Sequence, residues 1–264
     1  MLKGALHVHS TYSDGEFTIP ELRRIYAAEG CAFVCMNDHA EYFDTQTITN
    51  YMQDLQQHSD ERFRFVMGLE YECQHRMHIL GYGASVLATS TDPQAVIRHI
   101  NSQGAVSVIA HPKDEYFPWI ETFEVLPAGI ETWNSKYDGR YAPRPGTFAL
   151  QQRLKLRSPA MRAFYGQDLH WKKQFRGLYV LVDCPTPDSR GILAALAEGK
   201  FTGQKDILQL PSSGVLSEEL LGEFARVHAR SYRMWQFLKN SKQRLDRLGI
   251  RLPESLKAQL RRIF

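Results

Sequence analysis

The feature that most constrains this chain is a regular alternation of short apolar runs with helix-like stretches over its first 170 residues. Apolar runs at 5–8, 32–36, 65–69, 77–81, 105–110, 130–133 and 163–166 have the length and composition of buried strands. Between them, residues 20–29 place Leu22, Ile25 and Tyr26 on one helical face, with Pro20 at the start and Gly30 at the end. Residues 92–103 open on Asp-Pro and stop at Gly104 in the same manner. Stretches 45–57 and 147–155 carry weaker helical patterns. Strand–helix alternation of this kind predicts a parallel sheet, and closure into a barrel is the economical way to arrange about seven such units.

The segments that break the alternation set the expected domain plan. Residues 135–146 read as a long loop, and residues 205–216, with Pro211-Ser212-Ser213-Gly214, read as a linker. Beyond it Leu220, Phe224, Val227, Ser231, Met234, Leu238, Ser241, Leu245 and Leu248 recur by four and three. That is the seam of a long amphipathic helix ending at Gly249, with a second short helix opening at Pro253. The expected division is a body at 1–210 and a helical extension at 211–264. Packing of the seam against the body is favoured over self-association, because Ser231 and Ser241 suit a two-stranded coiled coil poorly; the oligomeric state stays open.

Charge and cysteine usage exclude little but point one way. The formal charge of +3 is too small to indicate a dedicated nucleic-acid binder, although residues 215–264 carry eleven Lys/Arg against five Asp/Glu. The four cysteines form no CxxC pair and read as reduced thiols. The first histidine comes before any apolar signal region could develop, and no run of 18 apolar residues follows. A cytoplasmic protein that does not engage a membrane is expected.

In a parallel barrel, chemistry sits at the C-terminal ends of the strands. At or just past the ends of the runs stand His7 and His9, with Asp14 following; Asp38 and His39; Glu70; His111; Asn134; and Asp168 with His170, while the fourth run contains His78. Six of the ten histidines fall at these positions. Alternation in an extended segment would also put His7 and His9 on one side, and Asp168 and His170 likewise. Taken singly, an HxH pair can be a satisfied core pair, a His-Pro a turn, and Asp168 a helix cap. The bland explanation must hold at every strand end at once, which is hard to sustain. Imidazoles and carboxylates without thiolates suit Zn, Mn or Fe.

The run His7-Val8-His9-Ser10-Thr11-Tyr12-Ser13-Asp14-Gly15 resembles the HxHSxxSDG opening of the polymerase and histidinol phosphatase (PHP) superfamily. Asn37-Asp38-His39 resembles its TDH motif and Gly68-Leu69-Glu70 its GxE motif. His78-Ile79-Leu80-Gly81, Ala110-His111-Pro112 and Gly166-Gln167-Asp168-Leu169-His170 resemble the later ones, in order. The resemblance implies a distorted seven-stranded (β/α)7 TIM-like barrel with a trinuclear metal centre, here extended by a C-terminal helical appendage. By position, His7, His9, Glu70 and Asp168 would hold one ion. Glu70 would bridge to a second held by His78 and His111, and Asp14, His39 and His170 would hold the third. Asn37 departs from the usual Thr, and Gln167 and Leu169 from a commoner Ser and Ala, but no ligand is lost. His75 competes for the fourth-strand position; the Ile-Leu-Gly after His78 favours His78.

Two or three divalent ions, Zn, Mn or Fe, would make hydroxide available near neutral pH to attack phosphorus. Glu70 would be both bridge and catalytic residue, and Asp38 and Asn134 would orient ligand imidazoles. Lys113, Lys136, Arg140 and Arg144 are candidate phosphate-binding residues, with one of the four expected to touch substrate. Tyr116, Phe117, Trp119 and Tyr137 could stack on a ring or pack the rim. The expected function is a phosphomonoesterase acting on small phosphorylated metabolites or nucleotides. The alternatives are a nuclease acting on DNA or RNA ends, a non-catalytic metal-bound interaction module, and a metal-dependent amidohydrolase. Against the last, Glu70 stands where those enzymes commonly carry a carbamylated lysine.

Overall fold

A computed structural model of the chain describes residues 1–247. The strands run β1 Leu2–Val8, β2 Phe33–Met36, β3 Asp38–His39, β4 Arg64–Val66, β5 Gly68–Glu72, β6 His78–Tyr82, β7 Val106–Ile109, β8 Gly129–Asn134, β9 Arg162–Gly166, β10 Leu178–Val182, β11 Phe201–Lys205 and β12 Leu208–Pro211. The helices are α1 Ile19–Ala28, α2 Thr45–Gln57, α3 Pro93–Ser102, α4 Phe117–Ile120, α5 Pro145–Lys155, α6 Ser189–Glu198 and α7 Glu218–Arg247. The fold is mixed α/β.

Local chemistry accounts for the helix starts. The Asp44 carboxylate accepts from the Thr47 amide at 2.7 Å, and Asp92 from the Ala95 amide at 2.8 Å, with Pro93 filling the first turn of α3. Glu21 reaches back to accept from the Thr18 amide at 2.9 Å. Each of the first three helices then buries one stripe, such as Ile19, Leu22 and Tyr26 in α1 and Val96, Ile97 and Ile100 in α3.

Two six-stranded sheets result, ordered β12-β11-β10-β1-β2-β4 and β3-β5-β6-β7-β8-β9. They are not independent. Strand β2 continues into β3 after one residue, and β4 into β5. At the other side, the Gln167 amide donates to Leu6 O at 2.9 Å and the His9 amide to Leu169 O at 3.0 Å, so the chain beyond β9 runs beside β1. The strands are apolar on both faces: Val34 and Met36 of β2 join one core cluster, Phe33 and Cys35 the other.

Strand direction departs from the expectation. The pairs β1–β2, β2–β4, β7–β8 and β8–β9 are parallel, but β6 is antiparallel to both β5 and β7. Only residues 73–77 separate β5 from β6, and a parallel crossover needs about a dozen. The antiparallel set β10-β11-β12 and helix α6 were not anticipated. Part of the anticipated linker is strand β12, which pairs with β11. Helix α7 packs Phe224, 3% exposed, into the core near Trp133, with Leu220 and Val227 partly buried. Farther along, Ser231, Tyr232, Met234 and Phe237 are exposed and Leu238 is half-buried, so among the described residues the seam is covered best at its start. The expected helix end at Gly249 and the second helix from Pro253 lie outside the described residues. Among those described, no helix is long and apolar enough to cross a membrane.

Candidate metal centre

The strand ends converge on one carboxylate. Glu70, on β5 and 1% exposed, stands 2.8 Å from His78 Nδ1, 3.2 Å from both His7 Nε2 and His9 Nε2, 3.3 Å from His111 Nε2 and 3.6 Å from His39 Nδ1. Five imidazoles therefore surround a single buried glutamate. Asp168 lies on the next side, 3.1 Å from His170 Nδ1 and 3.6 Å from His111 Nε2. Asp14 reaches in from its loop to 3.2 Å from His170 Nε2 and 3.7 Å from His39 Nε2. All nine sequence-derived ligand candidates thus meet in one place. His75, the competitor, is exposed and packs edge-on against Trp119 instead.

The backbone turns these side chains inward at some cost. His7, His111 and Asp168 have φ of 59°, 26° and 52°, a region that L-residues with side chains enter only when their surroundings impose it. The pairing of β1 with β2 also shifts register between Ala5 and Val8. Simple alternation is thus not what brings His7 and His9 together; the turn at His7 does. Gly15 closes the loop carrying Asp14 against the His9 backbone, where a Cβ would lie 2.6 Å from the His9 carbonyl carbon.

Charge distribution follows from this crowding. Burial opposes ionisation of Glu70, yet His7 and His78 beside it hold its carboxyl well below the usual carboxylate range. Asp168 is held low in the same way, against burial, by His7 and His170. Burial works against a charge on His170, but hydrogen bonds to Asp14 and Asp168 push it up to about 9. His9 is the exception: burial brings it down to about 3. Among the described residues its two buried ring nitrogens have no partner in hydrogen-bond geometry, although Nε2 stands 3.2 Å from Glu70.

Those orphaned nitrogens, with the carboxylates around them, are the donor set a divalent cation needs. Among the described residues four groups of side chains bring ligand atoms within 4.8 Å of one another: His9, Asp14, His39 and His170; His7, His9 and Asp168; His7, Glu70 and His111; and His39, Glu70 and His78. The partition differs in detail from the one implied by resemblance. His9 also joins the Asp14 group, and Glu70 meets His78 and His111 in separate groups.

The supporting residues differ more. Among the described residues Asp38 hydrogen-bonds to no imidazole. It accepts from the Ser10 amide at 2.7 Å and from the Ser13 hydroxyl at 2.6 Å, pinning the loop that carries Asp14. Asn134 steadies carboxylates, donating to Glu131 at 2.9 Å and to Asp168 at 3.2 Å. Glu131 itself went unrecognised, although an acidic residue inside a buried apolar strand is a visible anomaly. Fully buried, it sits 2.8 Å from His7 Nδ1 and accepts from the His111 amide at 3.0 Å. Gly166 makes room for it: a Cβ there would overlap the Glu131 carboxylate.

Of the four basic candidates, two face the centre. Lys136 Nζ is 3.0 Å from Asp168 and 3.3 Å from His170. Lys113 lines a cleft of about 530 Å³ with His78, His111, Tyr116, Tyr137 and Arg76, the last also unanticipated. Arg144 is committed elsewhere, donating to Asp138, Asp114 and the Pro112 carbonyl, which ties two loops together. Arg140 lies in a different cleft. Phe117 and Trp119 pack against the core rather than the cleft.

With this geometry in hand, the chain can be compared with known proteins. The profile of the PHP domain matches residues 5–138. The DNA polymerase/3'-5' exonuclease PolX of Bacillus subtilis is 30% identical over 79 residues, 27% of this chain. The chain spans only 14% of that relative's length. A crystal structure from Bacteroides vulgatus, of a two-domain protein containing a predicted PHP-like metal-dependent phosphoesterase, matches with a TM-score of 0.59. It is 17% identical, and the match covers 85% of this chain and 69% of the other, which shows a common fold.

Proposed function

The chain belongs to the PHP family, and on that premise we propose that it is a metal-dependent hydrolase of phosphate esters, foremost a phosphomonoesterase acting on small phosphorylated metabolites or nucleotides. The observation that carries this reading is the ring of five imidazoles around buried Glu70, with Asp14, Asp168 and His170 completing nine ligands. When bound, two or three Zn, Mn or Fe ions would bring the pKa of water from 15.7 to about 7 and offset phosphoryl charge.

The chain's own residues do the rest. Glu70 fixes the spacing of the imidazoles, and Glu131 holds His7 by Nδ1 so that Nε2 faces the centre. Asp38 fixes the loop of Asp14 through Ser10 and Ser13. Lys136 and Lys113 supply cations for the phosphoryl oxygens, and Tyr137, 4.5 Å from the His111 ring, offers a face to the leaving group. No side-chain nucleophile is called for: Ser10 and Ser13 are engaged with Asp38, and burial pushes the Cys31 and Cys73 thiols up to about 12.

The strands carrying the centre are read as one distorted seven-stranded barrel, a reading supported by the bonds of Gln167 and His9 to β1 and its extension. Residues 1–210 form that unit and 211–264 its extension. The four free, buried cysteines support a cytoplasmic setting. A second reading, cleavage at nucleic-acid ends, draws on the local likeness to PolX and on exposed Trp171 next to Lys172 and Lys173 at the rim.

Hydrolysis of a panel of phosphomonoesters and oligonucleotides in ¹⁸O-water by the metal-reconstituted protein tests both readings. Label in the phosphate of a monoester is the expected result. Label in the alcohol would contradict attack at phosphorus, and turnover of oligonucleotides alone would transfer the assignment to the second reading.

A further inference from the structure

A second cleft, of about 390 Å³, opens beside the loop 135–141. Four cationic side chains line it, Lys3, Arg140, Arg176 and Lys205, against two carboxylates, Glu29 and Asp206. Lys205 is 8% exposed, a rare position for lysine, and it forms an ion pair with Asp206 at 2.7 Å. Among the described residues neither Lys3 nor Arg140 forms an ion pair. Lys3 instead lies 3.9 Å over the Tyr179 ring and donates to the Glu29 carbonyl at 2.8 Å. Glu29 accepts from the Tyr179 hydroxyl at 3.1 Å, so part of the small acidic complement is already engaged. Burial, and the like charge of Arg140, both disfavour the Arg176 cation. An anion seated here would relieve that repulsion.

We propose that this cleft is a second anion site, separate from the metal centre, that takes a phosphate dianion, free or as a monoester. Two guanidinium groups and two ammonium groups converging on one concavity match the oxygens of a phosphate with charge-assisted hydrogen bonds. The cleft is also joined to the centre. Arg176 donates to the Ser135 carbonyl, and Ser135 stands between Asn134 and Lys136, both bonded to Asp168. The link places the cleft against the segment that positions Asp168.

Phenylglyoxal modification of the full-length, metal-loaded protein, read by peptide mass mapping, tests the site itself. The probes are inorganic phosphate and methylphosphonate, and Arg98, exposed on α3, serves as the internal control. Phosphate is expected to slow modification of Arg140 about tenfold without affecting Arg98, and Lys205→Met or Lys3→Met to raise the half-protecting concentration about tenfold. Protection by methylphosphonate as well supports an esterified ligand; protection by phosphate alone supports the free ion. The same protection is expected in Glu70→Gln, where the metal centre is impaired. Equal modification of Arg140 with and without both probes overturns the proposal. So does protection that survives both lysine changes, or that disappears in Glu70→Gln, since phosphate would then act from the metal centre.

Discussion

The candidate metal centre and helix α7 are built on opposite terms. At the centre, titratable groups are buried together, His7, His111 and Asp168 hold left-handed backbone, and among the described residues both ring nitrogens of His9 lack partners in hydrogen-bond geometry. Each of these features costs stability in isolation, and none would persist without surroundings that impose them. In α7 the order is conventional: an amphipathic helix whose first turns bury Phe224 and whose later turns leave Tyr232, Met234 and Phe237 exposed. The centre thus gathers buried charge at the expense of comfort, and the first turns of α7 are anchored by apolar burial.

Substitution should separate the two regimes. Glu70→Gln removes the charge that five imidazoles share and should lower turnover by about a thousandfold, with the fold retained. Unchanged turnover would break the contrast outright. In α7 the effect should fall on stability and depend on position. Phe224→Ala should cost about 3 kcal/mol in denaturant unfolding, whereas Phe237→Ala should stay within about 0.5 kcal/mol. Equal losses at both positions would mean that the second half of the helix is covered after all.

A subtler change sharpens the account of the centre. Glu131→Gln keeps the shape but weakens the hold on His7, and should lower metal affinity about 10- to 100-fold, measured by competition with a chelator. An unaltered affinity would reduce Glu131 to a packing residue.

These two acidic residues also mark how far the sequence could be read. Glu70 was visible because it ends an apolar run, and with the histidines ending the neighbouring runs it located the centre. Glu131 sits inside its run, and only the folded β8, which places it between His7 and the His111 amide, gives it a purpose. Six of the seven apolar runs correspond to one strand each, whereas the run at 65–69 spans the end of β4 and the start of β5; the direction of β6 is encoded in the brevity of the 73–77 connection. Strand β11, Phe-Thr-Gly-Gln-Lys, has no apolar run, because it buries only alternate residues between its antiparallel neighbours β10 and β12. The four basic candidates part company for a related reason. Arg144 and Arg140 lie in the same loop as Lys136, and the loop's path, rather than its composition, turns them to Asp138 and to the second cleft.

The smallest effect concerns protons at the centre. In metal-stripped protein, folded His170 holds its proton up to about 9, against 6.5 for the ordinary group. That protonation stabilises the fold fully below about pH 6.5, and the contribution is lost as the pH rises toward 9. Thermal unfolding of the stripped protein should therefore show falling stability across this window, and reconstitution with metal should flatten the profile. A stability that rises over the same window would contradict the ion pairs of His170 with Asp14 and Asp168.

The central claim is that these nine side chains are a polynuclear metal centre, and elemental analysis of the purified protein tests it most directly. More than one equivalent of Zn, Mn or Fe per chain is the predicted result, falling sharply in Glu70→Gln. A wild-type protein without stoichiometric transition metal, and without activation on reconstitution, would contradict the account.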